Sequence, residues 1–233
     1  MLKICCWPKR RDRVVFLESG QGGEACYELD SFSARGNQQA REVGIRLAGE
    51  RIDRFIASPF TRTIETARGI LSQRTTKTPL AIEPGIGETL NSCDSPPGRP
   101  PMETIRNMVP VDDDYHAVYD ALPEEVGGDI GCYARVRHTL LTILSENKGN
   151  LVLVSHGSPI AVCQLVLLGK WYYNGQCTIS KIIQYENGTF KPEMVGDKTH
   201  LSDKRNLHEQ QSKEGEYEKG LLLEKRLREQ AQQ

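Results

Sequence analysis

The chain has 233 residues with 30 basic and 31 acidic side chains, a formal net charge of -1, and is 38% hydrophobic. That suits one large α/β domain or two small ones, and the balanced charge gives no global field to draw the chain to nucleic acid or an anionic lipid surface. No apolar run approaches the roughly 18 residues that a membrane-spanning helix needs, and composition excludes collagen, coiled coil and wholesale disorder.

The opening MLKICCWPKRR has a basic flank but no apolar core, unlike a secretory signal. Cys5-Cys6 beside Lys9, Arg10 and Arg11 reads either as an acylation site on a basic patch or as two free thiols in a disordered start. The seven cysteines, at 5, 6, 26, 93, 132, 163 and 177, are odd in number and lack metal-ligand spacing. Neither a disulfide framework nor a zinc site is expected, and isolated thiols suit a reducing, cytoplasmic compartment.

Residues 13–17 form a short apolar run that ends at Ser19-Gly20, a buried strand opening into a Gly-rich loop over 21–36. Ala40, Val43, Leu47 and Ala48 follow helical spacing, with Asn37 as the expected N-cap. Residues 52–57 read as a second strand. Ser58-Pro59 has the cap-then-proline signature of a helix start, and that helix is expected to run to about Gln73. A third strand covers 80–83. Residues 84–128, rich in Pro, Gly and Asp without a sustained period, read as a long insertion. A helix is expected over 129–147. Residues 150–154 are almost wholly apolar, as in a central strand covered on both faces. Ser158-Pro159 starts another helix, to about Leu168, and strands over 179–185 and 189–195 are joined by a turn at Asn187-Gly188.

After Lys198 the chain is polar and of mixed charge up to Gly220, and Leu221, Leu222, Leu223 and Leu227 then lie in a charged helical stretch. This tail is either a contact helix for a partner or a helix packed back on its own domain. The expected organisation is an N-terminal basic and Cys segment (1–12), one doubly wound, mostly parallel α/β domain sandwiched by helices (13–200) and a polar helical extension (201–233).

Ligands of open α/β sheets bind at the carboxyl ends of strands, where helix N-termini present unpaired N–H groups. Three strand ends carry suitable residues: Glu18-Ser19-Gly20, then Ser58-Pro59 with Arg62 one turn on, then Ser155-His156-Gly157. An Arg and a His at adjacent strand ends suit an anion such as phosphate.

The segments Phe32-Ser33-Ala34-Arg35-Gly36-Asn37-Gln38-Gln39-Ala40, Ser58-Pro59-Phe60-Thr61-Arg62-Thr63-Ile64-Glu65-Thr66-Ala67 and Val154-Ser155-His156-Gly157 resemble three ordered motifs of the histidine phosphatase (phosphoglycerate mutase-like) superfamily. Residues 82–88 and the adjoining insertion look most like the suppressor of T-cell receptor signalling phosphatases. The resemblance implies a doubly wound α/β sandwich and a homodimer. It implies metal-independent chemistry without a cofactor: a His after the first strand attacks phosphorus, arginines and a second His clamp the phosphoryl oxygens, and a carboxylic acid protonates the leaving group. Arg62 matches the helix Arg, His156 the second His, Glu88 the proton donor, and Gly20 the glycine after the nucleophile.

The first motif departs from the family pattern Arg-His-Gly. Ser19 stands at the nucleophile position, Glu18 at the first clamp Arg, and Gly22 at the second. An unactivated hydroxyl is a poor nucleophile near pH 7. Two charge-assisted contacts, each about 1.5–3 kcal/mol, are absent, and Glu18 sets a like charge where a dianion would sit, a repulsion of about 4 kcal/mol at 4 Å in an effective dielectric of 20. Glu18 is expected within ion-pair reach of Arg62 or another cation. The expected function is a catalytically inactive binding or regulatory module, with a protein or a phosphorylated ligand as partner. The alternative is a weak phosphomonoesterase for phosphotyrosine or a small phosphoester that uses Arg62, His156 and Glu88 with a nucleophile such as water.

Overall fold

The structure is a computed structural model and describes residues 10–18, 33–89, 100–121, 125, 130–207 and 214–230. Strand β1 (Arg10–Glu18) sends Val14 and Phe16 into one core and Val15 and Leu17 into another, and all four are buried. The run is continuously apolar because the strand is covered on both faces. Strands β2 (Arg54–Ala57) and β4 (Asn150–Ser155) divide in the same way: Ile56, Leu151 and Leu153 face the first core, while Phe55, Ala57, Val152 and Val154 face the second.

With β3 (Leu80–Ile82), β5 (Ile179–Tyr185) and β6 (Phe190–Asp197) these strands make one sheet in the order β3-β2-β4-β1-β5-β6. The first four positions are parallel, and β5 and β6 are antiparallel additions on the β1 side. Helices α1 (Ala34–Leu47) and α2 (Thr61–Leu71) bury Val43, Leu47, Ile64, Ala67 and Ile70 on one face. Helices α4 (Tyr133–Glu146) and α5 (Gly157–Leu168) bury Val136, Leu140, Ile160 and Leu165 on the other. The fold is the expected mostly parallel α/β sandwich, and the 150–154 run is its central strand.

Several local expectations are corrected. Helix α1 starts three residues before the expected Asn37 cap, because the Ser33 hydroxyl accepts from the Gly36 amide at 3.1 Å, while Asn37 reaches back to donate to the Ser33 carbonyl. Helix α2 starts at Thr61, with Phe60 as its cap residue, so Ser58 caps nothing. Thr63 closes that corner by donating to the carbonyls of Ser58 and Phe60. The 84–128 segment is not without elements: a 3-10 turn spans Pro84–Ile86, helix α3 spans Met102–Met108, and Val111 bridges Leu80 in parallel, adding a rung at the sheet edge.

Helix α6 (Glu214–Gln230) lies on its own domain, with Gly220 against Leu165 and Trp171 and the buried Glu224 carboxylate accepting from Tyr133 and Arg137. Leu222 and Leu223 face outward. Among the described residues no helix is long and apolar enough to cross a membrane. Cys5, Cys6 and the side chain of Leu227 lie outside the described residues.

Candidate anion-binding site

Strands β1, β2 and β4 are parallel neighbours, so their carboxyl ends share one edge of the sheet. The register sets Ala57 beside Val154 and Glu18 beside Ser155. The residues that follow, Ser58 and His156, are thereby brought side by side. His156 sits in extended backbone at the cap position of α5, with its side chain 1% exposed.

Arg62, in the first turn of α2, donates from Nε to His156 Nδ1 at 3.1 Å. A guanidinium only donates, so Nδ1 must be the bare acceptor and Nε2 carries the proton. Nε2 lies 2.8 Å from the Ser58 hydroxyl, which accepts that proton. Phe60 packs edge-on against the imidazole at 4.9 Å and lies under the Arg62 guanidinium at 5.2 Å. Burial first, then the positive charges of Arg62 and Arg135, hold the His156 pKa well below its ordinary value of 6.5. His156 is therefore a neutral imidazole. The 3.6 Å approach of its Nδ1 to Glu88 is a proximity of polar groups and not an ion pair.

Glu88 completes the cluster. Its Oε2 lies 3.4 Å from the Arg62 terminal nitrogen, and its Oε1 accepts from the Thr89 amide at 3.0 Å. The three expected residues Arg62, His156 and Glu88 thus converge at the carboxyl edge of the sheet. The backbone of Glu18 ends β1 beside Ser155. The side chain of Glu18, and Ser19, Gly20 and Gly22, lie outside the described residues, and so does the expected pairing of Glu18 with Arg62 or another cation.

Three further residues shape the site, and sequence reasoning gave two of them, Glu83 and Arg135, no role there. Glu83 is fully buried: its carboxylate accepts from the Gly85 amide at 2.7 Å, the Tyr115 hydroxyl at 2.8 Å and the Val118 amide at 2.7 Å. It ties the loop that carries Glu88 to the 115–119 segment. Arg135 on α4 is buried and faces that loop from the other side, donating to the carbonyls of Gly85 and Gly87, both at 2.9 Å. Ser155 donates to the Ile86 carbonyl at 2.6 Å. Gly85 is required by this packing, because a Cβ there would lie 2.1 Å from the Thr139 hydroxyl oxygen. The available signal was the buried charge itself: Glu83 follows an apolar strand, and Arg135 sits among the inward positions of an amphipathic helix.

An open cavity of about 590 Å³ is lined by Pro59, Ile82, Pro84, Tyr115, His116 and Tyr119 among others. Pro59 and Pro84 open the two segments that deliver Arg62 and Glu88, but Arg62, His156 and Glu88 do not themselves line it. Chemically, the cluster presents one guanidinium, one neutral imidazole and one carboxyl group at a point where an anion would meet the start of α5. Among the described residues no group of three or more His, Cys, Asp and Glu side chains is placed to hold a metal ion.

Comparison with known proteins sets this geometry in context. The sequence profile of the histidine phosphatase superfamily (branch 1) matches residues 30–198. No curated protein sequence matches the chain. Among solved structures, Bacillus stearothermophilus YhfR superposes with a TM-score of 0.59 at 18% identity, covering 82% of this chain and 99% of that one. The ecdysone phosphate phosphatase from Bombix mori, in complex with tungstate, gives 0.61 at 16% identity, covering 80% and 93%. A phosphoserine phosphatase mutant from Entamoeba histolytica, in complex with phosphoserine, gives 0.55 at 20% identity, covering 82% and 99%. At these identities the likeness establishes the fold.

Proposed function

The chain belongs to the histidine phosphatase superfamily, branch 1, and from that membership we propose that it is a non-catalytic member, a binding or regulatory module that keeps part of a phosphate site. The observation that carries this reading is the end of the first strand. β1 leads into Glu18-Ser19-Gly20, where the family motif calls for Arg-His-Gly, while Arg62, His156 and Glu88 keep their places. The profile match begins at residue 30, beyond this motif.

The chemistry of the cluster supports it. The imidazole of His156 has Nδ1 engaged by Arg62 and Nε2 by Ser58, so it has no open nitrogen with which to attack phosphorus or to deprotonate a serine. Arg62 and the start of α5 attract a phosphomonoester, and Glu88 opposes its second negative charge. A phosphorylated ligand or a protein partner is bound and not turned over. A homodimer and a cytoplasmic setting go with this reading, by resemblance and by cysteine usage respectively. So does the division into a 1–12 segment, a 13–200 domain with an 84–128 insertion, and a 201–233 extension.

The second reading, a weak phosphomonoesterase with water as nucleophile, is favoured by the convergence of Arg62, His156 and Glu88 in one cluster. The deciding experiment is hydrolysis of a generic phosphomonoester and of phosphotyrosine across pH 4–8, with binding of inorganic phosphate measured by calorimetry. Binding without turnover is the expected result. A kcat/KM comparable to active phosphatases, abolished in His156→Ala, would overturn the non-catalytic reading.

A further inference from the structure

Between β3 and Glu88 the chain makes a tight loop whose carbonyls all find donors. The Arg135 Nη1 donates to Gly85 and Gly87 at 2.9 Å and reaches Pro84 at 3.5 Å, and Nη2 donates to Glu88 at 3.3 Å. The one carbonyl it leaves, that of Ile86, is taken by the Ser155 hydroxyl. One guanidinium therefore spans both ends of the 84–88 loop. Its own position is set by Glu125, which accepts from Nε at 2.6 Å and from Nη2 at 2.9 Å. Both side chains are nearly excluded from solvent, at 2% and 6% exposed.

Glu88 is the last residue of this loop, and its side chain is the part of the Arg62–His156–Glu88 cluster that no secondary element holds. Arg62 is fixed by α2, and His156 by the end of β4 and the start of α5. We propose that Arg135 is a positioning residue of the anion site, acting through the 84–88 loop to hold the Glu88 carboxyl group against Arg62 and His156. It touches no ligand itself. A flat, five-donor guanidinium suits this task, because lysine offers one compact donor centre and cannot span carbonyls at both ends of a loop. The positive charge of Arg135 also bears on His156, which helps to keep that imidazole neutral.

A buried Arg135–Glu125 pair with a purely structural role would stabilise the fold without setting where Glu88 sits. A double-mutant cycle separates the two, since residues that act through one another do not add. Glu88→Gln is made in the wild-type and Arg135→Gln backgrounds, with Arg135→Lys as the second background in case Arg135→Gln does not fold. Two readouts are taken on folded protein: the ¹⁵N shifts of the His156 imidazole, and the affinity for inorganic phosphate. The expected result is that Glu88→Gln moves the His156 shifts in wild type but hardly at all in the Arg135 variant. A change in phosphate affinity of about fivefold or more should shrink toward unity in parallel. Equal effects in both folded backgrounds, or a Glu88→Gln change that leaves the wild-type imidazole unmoved, would overturn the proposal. The phosphate readout rests on the proposed function. If no variant binds phosphate, that function fails, and the imidazole cycle alone decides the role of Arg135.

Discussion

Arg62 donates to Nδ1 of His156 at 3.1 Å, and this one contact fixes the protonation of the site. The imidazole is compelled to be neutral, with its proton on Nε2 toward Ser58. Protonating His156 would set a second positive charge against Arg62 inside a buried cluster.

The consequence for stability has a definite sign. The folded pKa of His156 is depressed below 6.5, so between that depressed value and 6.5 the unfolded chain binds more protons than the folded one. Stability is fully present above pH 6.5 and falls as the pH is lowered through this window, by up to about 1.4 kcal/mol per pH unit. His200 is also depressed and adds a slope of the same sign, so the difference between wild type and His156→Gln isolates the effect. Melting temperatures across pH 4.5–7.5 should fall less steeply in the variant on the acid side. Parallel curves would refute the neutral-imidazole account.

Ser58→Ala should destabilise the fold by about 1–3 kcal/mol, because it leaves a buried N–H donor of His156 without an acceptor. Ser58→Thr keeps the hydroxyl and should lose less. Chemical denaturation of the two variants checks this, and equal losses would count against the hydrogen bond as the cause.

Glu88→Gln should tighten binding of inorganic phosphate. The Glu88 side chain is 19% exposed, so the repulsion it removes lies between the aqueous limit of about 1 kcal/mol at 4 Å and the partly buried figure of about 4 kcal/mol. A gain of about fivefold or more is expected at low salt. Calorimetry that finds weaker binding would mean that Glu88 assists the anion.

The docked tail makes its own prediction. A Cβ on Gly220 would lie 2.6 Å from the Leu165 side chain, so Gly220→Leu should lift α6 from α5 and expose Trp171, which is 7% exposed in the fold. In a Trp7→Phe background the tryptophan emission should shift to the red, while the Arg62–His156 cluster is undisturbed. An unshifted spectrum would show that α6 does not cover Trp171 in solution.

How much of this was legible in sequence follows from the range of each signal. The strands and the two-faced burial of 150–154 were readable because apolar period is a local property of the chain. Arg62, His156 and Glu88 were readable because motif order fixes strand ends. Ser58 was misread as a cap because Ser-Pro is a strong local signal, whereas its actual partner, His156, is 98 positions away. The Ser33 cap was missed because Asn37 offered an equally good signal one turn later. Arg135 and Glu83 showed only a charge at an apolar position, because their partners are loop carbonyls and amides, which leave no mark on residue type. The tail helix showed its leucines but not its anchor, since Glu224 reads as one more surface charge until Tyr133 and Arg137 are seen to enclose it.

The last prediction concerns restoring chemistry. If the defect is confined to the first motif, rebuilding that motif should rebuild phosphoryl transfer on a site whose other parts are in place. Ser19→His alone supplies a nucleophile but leaves Glu18 opposing the phosphate, so little activity is expected. Adding Glu18→Arg removes that repulsion and supplies one clamp, and Gly22→Arg supplies the other. In the restored reaction a histidine nitrogen forms the bond to phosphorus as the ester P–O bond breaks. Glu88, in its protonated form, gives its proton to the departing alcohol, and water then hydrolyses the phosphohistidine. The arginines hold the equatorial oxygens more tightly in the transition state than in the ground state, so they should raise kcat and not merely lower KM. Rates should climb along the series, and rapid quench should trap an acid-labile phosphoenzyme only in variants that carry Ser19→His. A folded triple variant with neither hydrolysis nor a phosphoenzyme would place the defect beyond this motif. Suspicion would then fall on the hold of the 84–88 loop on Glu88, where Arg135, Glu83 and Ser155 already fix its position.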